Sequence, residues 1–135
     1  MQTLTSQNEK KIDNSLATKY SSISVLGLGY VGLPLLLELS KHYKLTGFDV
    51  DKTKISELQN GIDRTNETNS VDLKKTSASF TTNATNIYDS NIKIVTVPTP
   101  IDSNNKPDLT LLKKATTMLA GHVKKDDIIV YESTV

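Results

Sequence analysis

Three glycines interrupt the most apolar part of the sequence. Residues 27–32 read Gly27, Leu28, Gly29, Tyr30, Val31 and Gly32, and they lie between a strand-like segment and a leucine-rich one. Glycine destabilises helices and strands by up to about 1 kcal/mol per residue, so another requirement must set these positions. In the pattern G-x-G-x-x-G the first glycine permits a tight turn, the second lets the main chain approach a diphosphate, and the third lets helix and strand pack closely. The N–H groups and the dipole at such a helix start can bind a diphosphate without a basic side chain.

A carboxylate follows at the distance that this pattern requires. Asp49 ends the second strand-like segment, about 20 residues beyond the glycines, where an acidic side chain accepts hydrogen bonds from the adenosine ribose. Together the two features predict a dinucleotide site. Because a carboxylate there would repel the 2′-phosphate of NADP, NAD is the expected cofactor. Lys52 and Lys54 lie close enough to soften that repulsion, although both also fit a solvated helix face.

These residues need a sheet to bring them together, and the apolar pattern predicts one. Strand-length segments at residues 23–26, 45–49, 79–82, 92–97 and 128–132 alternate with helix-length segments. Asp51 is a candidate cap for a helix that Gly61 ends, residues 70–75 form a possible short helix, and residues 107–109 open another. That last helix places four residues on one face: Leu112, Ala115, Thr116 and Leu119. The order of elements predicts an α/β fold, a Rossmann-like doubly wound parallel sheet.

Length and composition narrow the function classes. A chain of 135 residues suits one domain, and we expect a polar flexible tail over residues 1–21 and an NAD-binding domain over residues 22–135. Sixteen basic and fifteen acidic residues leave a net charge of +1, which gives no indication of a nucleic-acid partner. The sequence has no cysteine, which excludes a disulfide framework and a thiol nucleophile, and no metal-ligand pattern stands out. No apolar run approaches membrane-spanning length, so we expect a cytoplasmic chain without a membrane partner.

Four segments, in this order, resemble a known family. VLGLGYVGLPLLLELS, GFDVDKTKISELQNG, IVTVPTPID and DDIIVYESTV are similar to the N-terminal NAD-binding domain of the UDP-glucose/GDP-mannose dehydrogenase family. The resemblance is strongest to its bacterial branch, which acts on UDP-N-acetylhexosamines for capsule and surface polysaccharide. It covers about residues 22–135.

The resemblance implies a role for each matching position. The glycine segment would cradle the pyrophosphate, Asp49 and Lys54 would bind the adenosine ribose, and the VPTP and STV segments would lie along the cofactor. The hydroxyl of Thr134 would help to organise the reacting end, which makes it the one catalytic candidate. The implied cofactor-binding residues are Gly27, Leu28, Gly29, Tyr30, Val31, Gly32, Asp49, Lys54, Val97, Pro98, Thr99, Ser133 and Thr134.

The fold supports the placement of VPTP and STV independently of the family. Ligands of an open parallel sheet lie outside the carboxyl ends of its strands, and both segments follow predicted strands. VPTP has an alternative interpretation as a rigid turn that merely ends a strand, since proline cannot continue the ladder.

Members of this family oxidise the C6 alcohol of a sugar to a carboxylate in two NAD-dependent steps, through intermediates on a cysteine. Covalent catalysis requires the nucleophile itself, and this sequence contains none. We therefore expect the cofactor-binding portion of a longer UDP-sugar 6-dehydrogenase, truncated before the rest of the enzyme, that binds NAD without turnover. A homodimer or higher oligomer is expected for the full-length enzyme. Two alternatives stay open: a stand-alone NAD(H)-binding regulatory module and the NAD domain of another Rossmann dehydrogenase.

Overall fold

A computed structural model describes residues 21–133, which form one five-stranded parallel sheet with helices on both faces. The strand order is β3-β2-β1-β4-β5. The strands are β1 (Ser22–Leu26), β2 (Lys44–Phe48), β3 (Ser79–Thr81), β4 (Ile92–Val95) and β5 (Ile128–Tyr131). The helices are α1 (Gly32–Leu39), α2 (Lys52–Gln59), α3 (Ser70–Lys75) and α4 (Thr110–Ala120), with a 3-10 turn at Ala84–Ile87. The predicted fold class is confirmed; residues 1–20 of the predicted tail lie outside the described residues.

Helix ends follow from local side-chain chemistry. Asp51 caps α2, because its Oδ1 accepts a hydrogen bond from the N–H of Lys54 at 2.9 Å. Gly61 follows the end of that helix with a φ of +75°, a conformation that favours glycine. Asn69 caps α3 in the same way, through a 2.8 Å bond from the N–H of Asp72. The predicted cap at Asp51 and the short helix at 70–75 are confirmed.

Four strands end earlier than their apolar patterns predict. The main chain leaves the sheet after Phe48, Thr81, Val95 and Tyr131, while the predicted strands continue to residues 49, 82, 97 and 132. The N–H groups of three of these extra residues still make one inter-strand bond each: Asp49 to the carbonyl of Thr81, Thr96 to that of Leu26 and Glu132 to that of Val95. The residues that follow the strands are thereby free to face the edge where the candidate site lies.

Alternation along the strands divides the apolar core into two layers. Ile23 and Val25 of β1 face α1, α2 and α3, and Leu26 faces α4 and the 3-10 turn. Of the four residues predicted to share one face of α4, Ala115 and Leu119 are buried, Leu112 is half-buried and Thr116 is exposed. Its hydroxyl lies 2.9 Å from the hydroxyl of Tyr131 on β5. Within residues 21–133 no helix combines the length and apolar character needed to cross a membrane.

A buried lysine forms part of the layer beneath α4. The side chain of Lys93 is fully buried, and its ammonium group donates to the carbonyl of Ser90 and, at 3.1 Å, to Oδ2 of Asp127. The side chain of Asp127 is 4% exposed, and its Oδ2 also accepts a hydrogen bond from the N–H of Lys124 at 2.9 Å. Burial raises the pKa of Asp127, but these two donors outweigh it and leave the pKa below its usual range. The ion pair joins β4 to the turn before β5.

We expect Asp127→Asn to lower the free energy of unfolding by about 3–5 kcal/mol, because it leaves the Lys93 charge buried without a counter-charge. Urea titration at neutral pH measures this. The difference from the wild type should shrink as the pH falls below about 4 and be lost only below the depressed pKa of folded Asp127, because protonation there removes its stabilising charge.

A matched control is Asp89→Asn, which removes an exposed ion pair to Lys124. Exposed pairs contribute little, so this variant should resemble the wild type. Equal effects of the two substitutions would contradict the assignment of a buried ion pair.

Candidate dinucleotide site

The turn from β1 into α1 requires glycine at its first position. Gly27 has a φ of +95°, and its N–H donates to the carbonyl of Phe48 at 2.9 Å. A Cβ on Gly27 would lie 3.0 Å from the backbone nitrogen of Val97, tighter than ordinary van der Waals contact. Conformation and space therefore both favour glycine here.

The other two glycines of the turn have opposite surroundings. A Cβ on Gly32 would lie 1.9 Å from the carbonyl oxygen of Gly27 and 2.4 Å from Oγ1 of Thr96, so the close packing of α1 on the strand ends excludes any side chain. A Cβ on Gly29 would meet no heavy atom within 4 Å. Packing within the protein therefore explains why residue 32 is a glycine. At Gly29 it does not, because the space beside the main chain is open.

The start of α1 offers main-chain donors to that space. Between described residues no hydrogen bond uses the N–H groups of Gly29, Tyr30, Val31 or Gly32. The Tyr30 and Val31 side chains are 69% and 54% exposed. Leu28 differs, because its side chain is buried in the core and its N–H donates to Asp49.

Asp49 joins three parts of the site. Its Oδ2 accepts from the N–H of Leu28 at 3.0 Å and from Nζ of Lys54 at 2.8 Å, and its Oδ1 accepts from the N–H of Asp51 at 3.0 Å. The residue is 8% exposed. A carboxylate has about four lone-pair positions, so about one, on Oδ1, is left for an external donor.

The first turn of α2 supports this carboxylate. Lys54 lies there with its side chain 22% exposed, and its own N–H bonds to Asp51. That bond lowers the pKa of Asp51, and the guanidinium of Arg64 lowers it further. The ribose candidates Asp49 and Lys54 are therefore brought together, as an ion pair.

A cleft of about 510 Å³ opens beside Asp49, at the carboxyl ends of the strands. Its charged lining comes from Asp49, Lys54 and Lys114. The remaining lining is mostly apolar and includes Val50, Val97, Pro98, Leu111, Ala115 and Met118. Apolar walls with a few charged groups are typical of a site for a planar heterocycle attached to a polar chain.

Another groove, of about 620 Å³, lies between α1 and α3. Charged groups of both signs line it and are exposed, among them Glu38, Lys41, Asp72 and Lys75. It is remote from the carboxyl ends of the strands. The smaller cleft is the better candidate, because ligands of parallel sheets bind at the carboxyl ends of strands.

Ser133, the one described residue of the STV segment, lies beside the VPTP segment at the same edge of the sheet. The hydroxyl of Ser133 donates to the carbonyl of Val97 at 2.8 Å. Val97 is half-buried in the cleft wall, Pro98 is exposed beside it, and Thr99 follows in the same loop. Thr134 lies outside the described residues. Among residues 21–133, no group of three or more histidine, aspartate or glutamate side chains is arranged to hold a metal ion.

Two parts of the site were missed in the sequence. Leu111, Lys114 and Met118 on α4 line the cleft, and their i, i+3, i+7 spacing was a detectable signal for a second face of that helix. Thr96, directly before VPTP, is buried, and its hydroxyl lies 2.6 Å from the carbonyl oxygen of Gly27. A lone polar residue at the end of an apolar strand was its only signal.

The glycine turn, the acidic strand end and the apolar cleft define a Rossmann-type dinucleotide-binding domain. Residues 21–135 match the model of the UDP-glucose/GDP-mannose dehydrogenase family, NAD binding domain. The chain belongs to this family, as the sequence resemblance predicted.

Similar proteins are known in sequence and in structure. Over 114 residues, 84% of this chain, it is 49% identical to UDP-N-acetyl-D-glucosamine 6-dehydrogenase of Pseudomonas aeruginosa and 46% identical to protein CapL of Staphylococcus aureus. It spans 27% of the length of each relative. The fold matches 84% of this chain and 28% of a UDP-D-ManNAc dehydrogenase from Pyrococcus horikoshii (TM-score 0.79, 28% identity). A GDP-mannose dehydrogenase from Pseudomonas aeruginosa gives a TM-score of 0.76 at the same identity and coverage.

The two glycines with opposite surroundings should respond differently to alanine. We expect Gly32→Ala to destabilise the fold severely, since its Cβ would overlap the Gly27 carbonyl. Gly29→Ala should change the free energy of unfolding by less than about 1 kcal/mol and weaken NAD binding, because the new methyl group enters the space that a diphosphate would need. Urea unfolding and calorimetric NAD titration measure the two effects. Normal NAD affinity in a folded Gly29→Ala protein would contradict this assignment.

Proposed function

We propose that residues 22–135 are the NAD-binding portion of a longer UDP-sugar 6-dehydrogenase. The full-length enzyme would oxidise the C6 alcohol of a UDP-sugar, a UDP-N-acetylhexosamine, to a uronate in two NAD-dependent steps. The observation that carries the proposal is the carboxylate of Asp49, held at the edge of the cleft and bonded to the N–H of Leu28 in the glycine turn. Identity of 49% to a UDP-N-acetyl-D-glucosamine 6-dehydrogenase supports the substrate class.

The start of α1 would hold the diphosphate of NAD. The N–H groups of Gly29 to Gly32 have no hydrogen-bond partner among the described residues, and the positive end of the helix dipole lies there. Gly29 provides the space for close approach. These donors are fixed by the main chain, so no side chain has to be ordered when the anion binds.

The adenosine end of NAD would lie along Asp49 and the apolar cleft. The remaining acceptor position on Oδ1 of Asp49 suits a ribose hydroxyl, and Lys54 lies on the other carboxylate oxygen. Val50 and Pro98 offer apolar surface to the adenine ring, with Met118 at the wall of the cleft.

The nicotinamide end would lie towards the VPTP and STV segments. The bond from Ser133 to Val97 supports this placement, because it brings both segments to one edge of the sheet. Bound NAD supplies the hydride acceptor for the oxidation. Thr134, the catalytic candidate, would help to orient that end of the cofactor through its hydroxyl, and Thr99 would contact it from the neighbouring loop.

We propose that this chain alone binds NAD without turnover. The covalent route of the family needs a cysteine, and the 135 residues contain none. A cytoplasmic location and a role in capsule or surface polysaccharide synthesis are parts of the same proposal, the latter supported by the similarity to protein CapL. Exposed apolar side chains on β5, Ile128 and Tyr131, offer a surface for further contacts in a homodimer or larger assembly of the full-length enzyme.

Calorimetric titration tests the ribose assignment. We expect the wild type to prefer NAD to NADP by about tenfold or more, since the Asp49 carboxylate repels a 2′-phosphate. Asp49→Asn should weaken NAD binding and narrow that preference. Asp89→Asn, on an exposed surface outside the cleft, is the charge-matched control and should bind like the wild type. Unchanged NAD binding in Asp49→Asn would remove the ribose assignment.

Turnover is tested separately. Incubated with NAD and UDP-N-acetylglucosamine, the purified 135-residue chain should bind NAD and form no NADH, measured by absorbance. Steady NADH production would refute the proposal that catalysis needs residues beyond this sequence.

A further inference from the structure

We propose that Thr96 is a positioning residue for the dinucleotide: its hydroxyl fixes the glycine turn in the shape that presents main-chain donors to the diphosphate. Thr96 directly follows β4 and is 7% exposed. It acts through the turn, without contact to the ligand. The inference rests on the diphosphate site proposed above.

The hydroxyl has one proton, and the geometry assigns it to Gly27. Oγ1 of Thr96 lies 2.6 Å from the carbonyl oxygen of Gly27 and 3.1 Å from that of Leu26. The Leu26 carbonyl already accepts the N–H of Thr96 at 2.9 Å. The shorter contact, to Gly27, is therefore the one that receives the hydroxyl proton.

With this bond, one peptide group is hydrogen-bonded at both its C=O and its N–H. The unit joins Gly27 to Leu28; its carbonyl accepts from Thr96, and its N–H donates to Asp49 at 3.0 Å. The two partners follow β4 and β2, the strands on either side of β1. A peptide plane bonded at both ends cannot rotate without losing a hydrogen bond, so its orientation is fixed.

The orientation of this plane determines where the next N–H groups point. Gly27 has a φ of +95° and lacks a side chain, so its own conformational preference is weak. The donors from Gly29 onwards follow it directly in the chain. Without the hydroxyl the turn can adopt other conformations. Only the fraction in the binding conformation can then accept a diphosphate, so the apparent affinity falls.

Thr96 also fills the space that the third glycine leaves. A Cβ on Gly32 would lie 2.4 Å from Oγ1 of Thr96, so the hydroxyl is inserted between the first and third glycines. Threonine is β-branched and has few χ1 choices, which helps to hold its hydroxyl in this place. The residue that follows β4 thus packs against the glycine turn at Gly27 and Gly32.

The test compares ligands with and without a diphosphate in the full 135-residue chain. We expect Thr96→Val, which keeps the shape and removes the donor, to weaken binding of NAD and ADP-ribose by about tenfold, the upper range for one hydrogen bond. Affinity for adenosine, which has no diphosphate, should stay within about twofold of the wild type. Calorimetry measures the first two ligands and NMR titration the third.

Two variants serve as controls. Thr96→Ser keeps the hydroxyl and should bind NAD within about threefold of the wild type. Thr116→Val removes another threonine hydroxyl that donates to a main-chain carbonyl, that of Leu112 at 2.9 Å, on the exposed side of α4. It should leave all three affinities unchanged.

The outcomes separate this inference from the proposed function. If the wild type binds neither NAD nor ADP-ribose, the proposed function fails, and this inference fails with it. If the wild type binds both and Thr96→Val binds them equally well, or loses adenosine affinity to the same degree, the positioning role alone is overturned. If Thr96→Val does not fold, Thr96→Ala is compared with Thr96→Ser instead. The role is supported if only the alanine variant loses affinity for NAD and ADP-ribose while both keep their affinity for adenosine.

Discussion

The close approach of main chain to main chain where β1 passes into α1 constrains the rest of the structure. The carbonyl oxygen of Gly27 occupies the place that a side chain on Gly32 would need. This contact lets α1 begin directly over the strand ends, next to the N–H groups of Gly29 to Gly32, which have no partner among the described residues. The apolar helix behind it, with Leu33 and Leu36 fully buried, anchors that position in the core. The proposed diphosphate site therefore needs no basic cluster, in keeping with a net charge of +1.

Asp49 has a structural role besides its proposed part in ribose binding. It is almost buried, and its carboxylate accepts three hydrogen bonds from the protein, two of them from main-chain N–H groups. Burial of a carboxylate is costly unless such bonds replace its hydration, and here they also orient it. The side chain proposed to bind the ribose is thus already fixed by the protein itself, and it holds Leu28 of the glycine turn in the same arrangement. Such preorganisation reduces the ordering cost of binding.

The glycine turn and the acidic residue beside it could be predicted from the sequence because their signals are local. A glycine spacing and an acidic strand end can be read from short segments, and the alternation of elements predicted the parallel sheet. The contacts that were missed join distant residues. The bond from Thr96 to Gly27 spans 69 positions, and the ion pair of Lys93 with Asp127 spans 34. Lysine in a strand is normally expected to reach solvent, and only the folded chain shows which carboxylate allows its burial.

The two missed contacts have a common consequence, because both lie on one strand. Lys93 near the start of β4 bonds towards β5, and Thr96 just beyond its end bonds towards β1. A shift of β4 by one residue would turn the Lys93 ammonium to the other face of the sheet, away from Asp127, and would remove the hydroxyl from Gly27. The apolar residues of β4, Ile92, Ile94 and Val95, would tolerate that shift far better without the contacts of Lys93 and Thr96. The register of β4 is therefore specified by polar groups whose burial without a partner would lower stability. The same register places Thr96 where it supports the glycine turn.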